Sequence, residues 1–98
     1  MAKSWSKEFG LLIHSQRQKR RLPLRKVAAE LDIDTSTLSK IEKGDRQANP
    51  KMIPVIARLF NLDFRELQIQ YLSQKLNEEF GREPYFDEAL EKIINNLK

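Results

Sequence analysis

Residues 34–44, DTSTLSKIEKG, carry two large apolar residues, Leu38 and Ile41, among short hydroxyls, charges and a closing glycine. On a helix turning 100° per residue these two share a face. The opposite face then holds Ser36, Ser39, Lys40 and Lys43, with Thr35 at the N-terminal edge. Asp34 is a good N-cap, and Gly44 suits the left-handed position that closes a helix. Short hydroxyls approach base edges in a major groove, and lysine bonds guanine or phosphate. The helix N-terminus favours a nearby phosphate. An ordinary solvent-exposed helix is also rich in Ser, Thr and Lys, so this segment alone leaves both readings open.

Upstream, Leu24, Val27, Ala28 and Leu31 repeat at helical spacing behind Pro23. Two turns do not make a stable helix alone, so neighbours must hold this one. Residues 32–34 connect it to the helix from 35, which is helix-turn-helix spacing. A first helix is expected over about 6–20, capped by Ser6, with Phe9, Leu12, Ile13 and Gln16 on one face. Trp5 before it reads as a hydrophobic staple or an interface residue. Arg17, Lys19, Arg20 and Arg21 load its last turn, which suits the negative end of the helix dipole. The run 19–21 reads as a helix end near a DNA backbone.

Downstream, Asn49-Pro50 reads as an N-cap with a first-turn proline. Ile53, Ile56, Ala57 and Phe60 line a fourth helix that ends at Asn61. Pro54 removes one intrahelical bond, so that helix either starts later or has a distorted first turn. Asp63-x-x-Glu66 opens a longer fifth helix, and GREP at 81–84 stops it. A last amphipathic helix is expected over 85–97.

The 98 residues suffice for one domain with a modest core. Three Gly and four Pro are too few for a turn-rich β protein. With no Cys, disulfides, Cys-based zinc sites and thiol chemistry are excluded. No segment has the length of a signal peptide's apolar run or of a membrane span, so a cytoplasmic protein is expected. Residues 1–62 carry 13 Lys+Arg against 6 Asp+Glu; residues 63–98 carry 5 against 8. The net charges, +7 and −3, place a polyanion partner on the first part. A solvated surface with chance asymmetry is the alternative.

Residues 9–67 resemble the DNA-binding domain of the XRE, or Cro/repressor, helix-turn-helix family. The resemblance rests on FG..I, Arg17, the L..VA..L of the second helix, the TS.L.KIE.G of the third, and IA.LFNLD..EL. It covers about 60 residues at the family's spacing without a gap. It implies an all-α fold: a five-helix phage-repressor-like DNA-binding domain, residues 1–67, with a C-terminal amphipathic helical extension, 68–98. It implies base reading by Thr35, Ser36, Ser39 and Lys40. Contacts to the DNA backbone are expected from Thr37, Lys43, Arg46, Gln47 and Lys51. Arg17 and Glu42 match an internal ion pair between the first and third helices. The family often begins its second helix with a phosphate-binding Gln where this chain has Leu24; Arg25 or Lys26 can substitute. Asp32 stands where the turn usually has Gly, and tolerates a left-handed conformation. Asp32 and Asp34 also put negative charge near the DNA.

The extension's apolar residues Tyr71, Leu72, Leu76, Phe80, Leu90, Ile93, Ile94 and Leu97 suggest a dimer interface; the other reading is that they only complete the core. A two-fold dimer would read a palindromic site with half-sites about one turn of DNA apart. The expected function is a sequence-specific transcriptional regulator, a dimeric repressor or autoregulator. A restriction–modification controller, an antitoxin, or a protein-interaction adaptor that has lost DNA reading are the alternatives. His14, the single histidine, reads as a surface or half-buried residue, and Glu78-Glu79 and Asp87-Glu88 as solvated faces. No cofactor, metal cluster or catalytic constellation is expected.

Overall fold

The computed structural model describes residues 4–98. Those residues form six helices and no strand: α1 (Trp5–Lys19), α2 (Leu24–Glu30), α3 (Thr35–Glu42), α4 (Met52–Leu59), α5 (Phe64–Phe80) and α6 (Phe86–Leu97). The chain is all-α, as its periodicities and the family resemblance imply. The core gathers Phe9 and Ile13 of α1, Val27 and Ala28 of α2, Leu38 and Ile41 of α3, Ile53, Ile56 and Ala57 of α4, and Phe60 and Leu67. α1 and α3 pack backbone to backbone at Gly10. A Cβ there would lie 2.1 Å from the Ile41 carbonyl oxygen and 2.9 Å from that of Glu42. Only a glycine lets the two backbones meet.

The first four helices end alike. Arg21, Asp32, Gly44 and Asn61 each take a positive φ, between 54° and 79°. The next residue's N–H then bonds back to a carbonyl five residues earlier: Leu22 to Arg17, Ile33 to Ala28, Asp45 to Lys40 and Leu62 to Ala57. This arrangement satisfies carbonyls that a helix end otherwise leaves bare. Leu22, Ile33 and Leu62 then fold onto the core, so each reversal is held by an apolar contact as well.

Two boundaries differ from the sequence reading. α1 starts at Trp5 rather than near Ser6. Trp5 is buried, stacked on Phe9 at 4.8 Å and meeting Tyr71 edge-on at 5.4 Å. It belongs to the core and not to a staple outside the helix. α4 starts at Met52, after a turn in which the Asn49 side chain accepts from the Lys51 N–H at 2.9 Å. The Asn49 carbonyl accepts from the Met52 N–H at 2.8 Å. Pro54 therefore falls in the first helical turn, where an N–H has no intrahelical partner to lose.

α5 runs through residue 67 without a break. Its inner face returns to α1: Gln70 and Gln74 donate to the Glu8 carboxylate, and Glu78 accepts from the Trp5 N–H. A carboxylate at the N-terminus of α1 suits the helix dipole. Glu78 is exposed, as expected of a solvated face, and it also caps a distant helix. Its outer face carries Ile69, Leu72, Leu76 and Phe80, all 39–49 % exposed. α6 buries no residue fully and meets α5 where Phe86 lies 6.2 Å from Phe80. It projects from the rest: the chain measures 45 × 27 × 21 Å, with a radius of gyration of 15.4 Å. A compact domain of this length has about 13 Å.

Candidate nucleic-acid interface

α3 is anchored at both ends and along one side, and leaves its other side free. The Asp34 carboxylate accepts from the Thr37 N–H at 2.7 Å, capping the helix. Those bonds, more than the nearby Arg46 and Lys40 charges, hold the Asp34 carboxyl below its ordinary range. Gly44 closes the helix at φ 79°. Leu38 and Ile41 are fully buried. Thr35, Ser36 and Lys40 are exposed, Lys43 follows them into solvent, and Thr37 and Ser39 are half-buried. α2 lies across α3 with Arg25 and Lys26 exposed. The turn between them passes through Asp32 at φ 56°.

The rotation of α3 is fixed by an ion pair. Arg17 Nε donates to Glu42 Oε2 at 2.8 Å and Arg17 Nη2 to Glu42 Oε1 at 3.0 Å. Arg17 Nη1 donates to the Leu22 carbonyl at 3.0 Å, so one guanidinium also closes the end of α1. Both partners are largely buried, with side chains 12 % and 6 % exposed. A two-pronged contact of this kind sets orientation as well as distance. Burial pushes the Glu42 carboxyl up, but its hydrogen bonds to Arg17 and His14 outweigh this and leave it below the ordinary value. The same pairing raises the Arg17 guanidinium.

The cationic residues expected at the backbone are brought to the surface around α3. Arg46 and Gln47 are exposed in the loop after it, and Lys51 just before α4. Gln47 is held by an α5 side chain, Lys75, whose Nζ donates to its Oε1 at 3.4 Å. Sequence spacing gave no signal of this contact between the fifth helix and the loop. Arg20 behaves differently from the rest of its basic run. Its Nη2 donates to the Phe60 carbonyl at 2.6 Å, and its guanidinium lies 5.6 Å over the Phe60 ring. It ties α1 to the end of α4.

A family model described as helix-turn-helix matches residues 13–67, more than half of the chain. The chain belongs to the XRE-type helix-turn-helix family. It is a DNA-binding transcriptional regulator of that type, and the matched residues span α2, the turn and α3. Neither the curated proteins nor the solved structures compared with it include a match.

Of the residues expected at a dimer interface of this helix-turn-helix protein, Leu72, Leu76, Phe80, Ile93, Ile94 and Leu97 are exposed, and Leu90 is half-buried. Tyr71 is a correction. It lies on the inner face of α5 against Trp5 and the core, because residues 67, 71, 74 and 78 share that face. Ile69, on the outer face, takes its place in the apolar stripe. Among the described residues no helix is long and apolar enough to cross a membrane, and no group of three His, Asp or Glu is placed to hold a metal ion.

Proposed function

We infer that the protein is a dimeric repressor or autoregulator that reads a palindromic operator with α3. The observation that carries this is the free polar face of α3: Thr35, Ser36, Ser39 and Lys40 on a helix whose other side is locked by Leu38, Ile41 and the Arg17–Glu42 pair. These four side chains meet base edges in the major groove. Arg25, Lys26, Thr37, Lys43, Arg46, Gln47 and Lys51 hold the flanking backbone, which fixes register without reading sequence. Asp34 stays bound to the Thr37 N–H, so its charge caps the helix beside the DNA.

The dimer forms through the arm. The outer stripe of α5, Ile69, Leu72, Leu76 and Phe80, opens into an apolar cleft whose far wall is Phe86, Ala89, Leu90 and Ile93. A run of exposed large apolar residues on a projecting helix pair is a surface that a partner covers. Two-fold packing of two arms would set the two α3 helices one helical turn of DNA apart, about 34–36 Å.

Substitutions at the two kinds of contact separate reading from grip. Lys40→Ala should cost on the order of 1–3 kcal/mol at the preferred site and relax base preference there. Arg46→Ala should weaken every sequence alike and reduce the salt slope by about 1. Quantitative binding to a preferred site and to scrambled duplexes, at several salt concentrations, checks both. Unchanged site preference in Lys40→Ala and Ser36→Ala would remove α3 as the reader.

A further inference from the structure

A cleft between α1 and α3 opens beside the proposed reading face. It is lined by Leu11, His14 and Arg17 of α1, Leu24 at the start of α2, and Ser39, Glu42 and Lys43 of the α3 region. His14 Nδ1 lies 2.8 Å from Glu42 Oε1, and its side chain is 45 % exposed. A carboxylate oxygen only accepts, so Nδ1 carries the hydrogen and donates. The neutral ring then keeps a bare lone pair on Nε2. No hydrogen bond involves Nε2 among the described residues. A lone pair cannot bond an anion; a protonated ring presents Nε2–H and a positive charge instead.

We propose that His14 is a proton-gated contact for one DNA phosphate, seated in this cleft between Ser39 and Lys43 of the reading helix and the start of α2. The proposal rests on the reading of α3 as the groove-entering helix. Leu24 offers the cleft no polar group from α2, and His14 offers one from the α1 side. The charged groups facing the ring are known. Glu42 favours its protonation; Arg17, whose Nη2 is 3.5 Å from Nδ1, and Lys43 oppose it. Leu24, from α2, carries no charge. A phosphate entering the cleft adds a second negative charge and tips this balance toward the protonated ring. Binding DNA therefore takes up a proton, and acidification strengthens binding.

Because His14 is the single histidine, the effect is assignable. The test is affinity of the full chain for duplex DNA between pH 5.5 and pH 8.5 at fixed ionic strength, for wild type and His14→Gln. Glutamine keeps a donor for Glu42 and carries no charge, and the Arg17–Glu42 pair stays in place. Wild-type affinity should rise about tenfold from pH 8 to pH 5.5, and its salt slope should steepen by about 0.9, the share of one further phosphate contact. His14→Gln should bind at the wild type's pH 8 level throughout. In an imidazole proton NMR titration, saturating DNA should move the His14 midpoint upward. A flat wild-type profile, or the same rise in His14→Gln, would overturn the proton gate while leaving salt-sensitive binding at pH 8 as support for α3 reading. Absence of DNA binding at every pH would overturn both.

Discussion

A methyl group added at Gly10 would sit 2.1 Å from a backbone oxygen of α3, which cannot swing aside as a side chain can. Gly10→Ala should separate α1 from α3 and cost about 3 kcal/mol, at the upper end of overpacking effects. Urea unfolding followed by circular dichroism measures it; a loss under 1 kcal/mol would mean the two helices have slack there. Glu42 makes a pH-dependent contribution whose sign follows from its lowered carboxyl. In the unfolded chain a glutamate titrates near about 4.3. The folded state binds fewer protons, so the stabilisation is full above that pH and is lost as pH falls through the folded value. Glu42→Gln should be less stable than wild type by about 3 kcal/mol at pH 7, and the gap should narrow toward pH 3. A constant gap would show that the carboxylate charge is not what matters. Arg17 and Glu42 were legible from spacing within the family pattern. His14 on the same carboxylate, and Arg20 on the Phe60 carbonyl, were not, because neither contact leaves a period in the sequence.

Most elements of the domain declare themselves by the recurrence of Leu, Ile, Val and Phe at three- and four-residue steps. Their ends are harder. Gly44 and Asn61 announce a left-handed residue; Arg21 does not, and takes φ 55° because Leu22 is drawn into the core and its N–H closes on Arg17. α5 is the instructive case. It has an inner face of Leu67, Tyr71, Gln74 and Glu78 and an outer one of Ile69, Leu72, Leu76 and Phe80. With apolar residues on two sides, periodicity cannot say which face is the core, and Tyr71 is placed only by its contact with Trp5. The outer face gives a clean prediction. Leu72→Glu combined with Leu76→Glu leaves the inner contacts intact. The double variant should keep wild-type helicity, sediment as a monomer, and bind an operator with a flattened concentration dependence. A double variant that still sediments as a dimer would move the interface elsewhere.

At the scale of the molecule, basic residues gather before residue 63 and acidic ones after it. On the proposed reading of α3, this separation would keep the projecting arm off the polyanion while the α3 surface faces it. The packing shows where the arm can be cut. Removal of 68–98 takes Tyr71, Gln74 and Glu78 from α1 and should destabilise the whole unit. Removal of 82–98 spares those contacts and should yield a folded protein with weakened self-association, read by sedimentation at several concentrations. Two copies, joined through their arms, are proposed to read one palindrome. Selection of bound sequences from a pool of random duplex DNA, at moderate salt with the full chain, decides this. An arm-joined dimer should recover an inverted repeat whose half-sites are about one helical turn apart. Recovery of no enriched sequence, with only weak salt-sensitive binding, would contradict it.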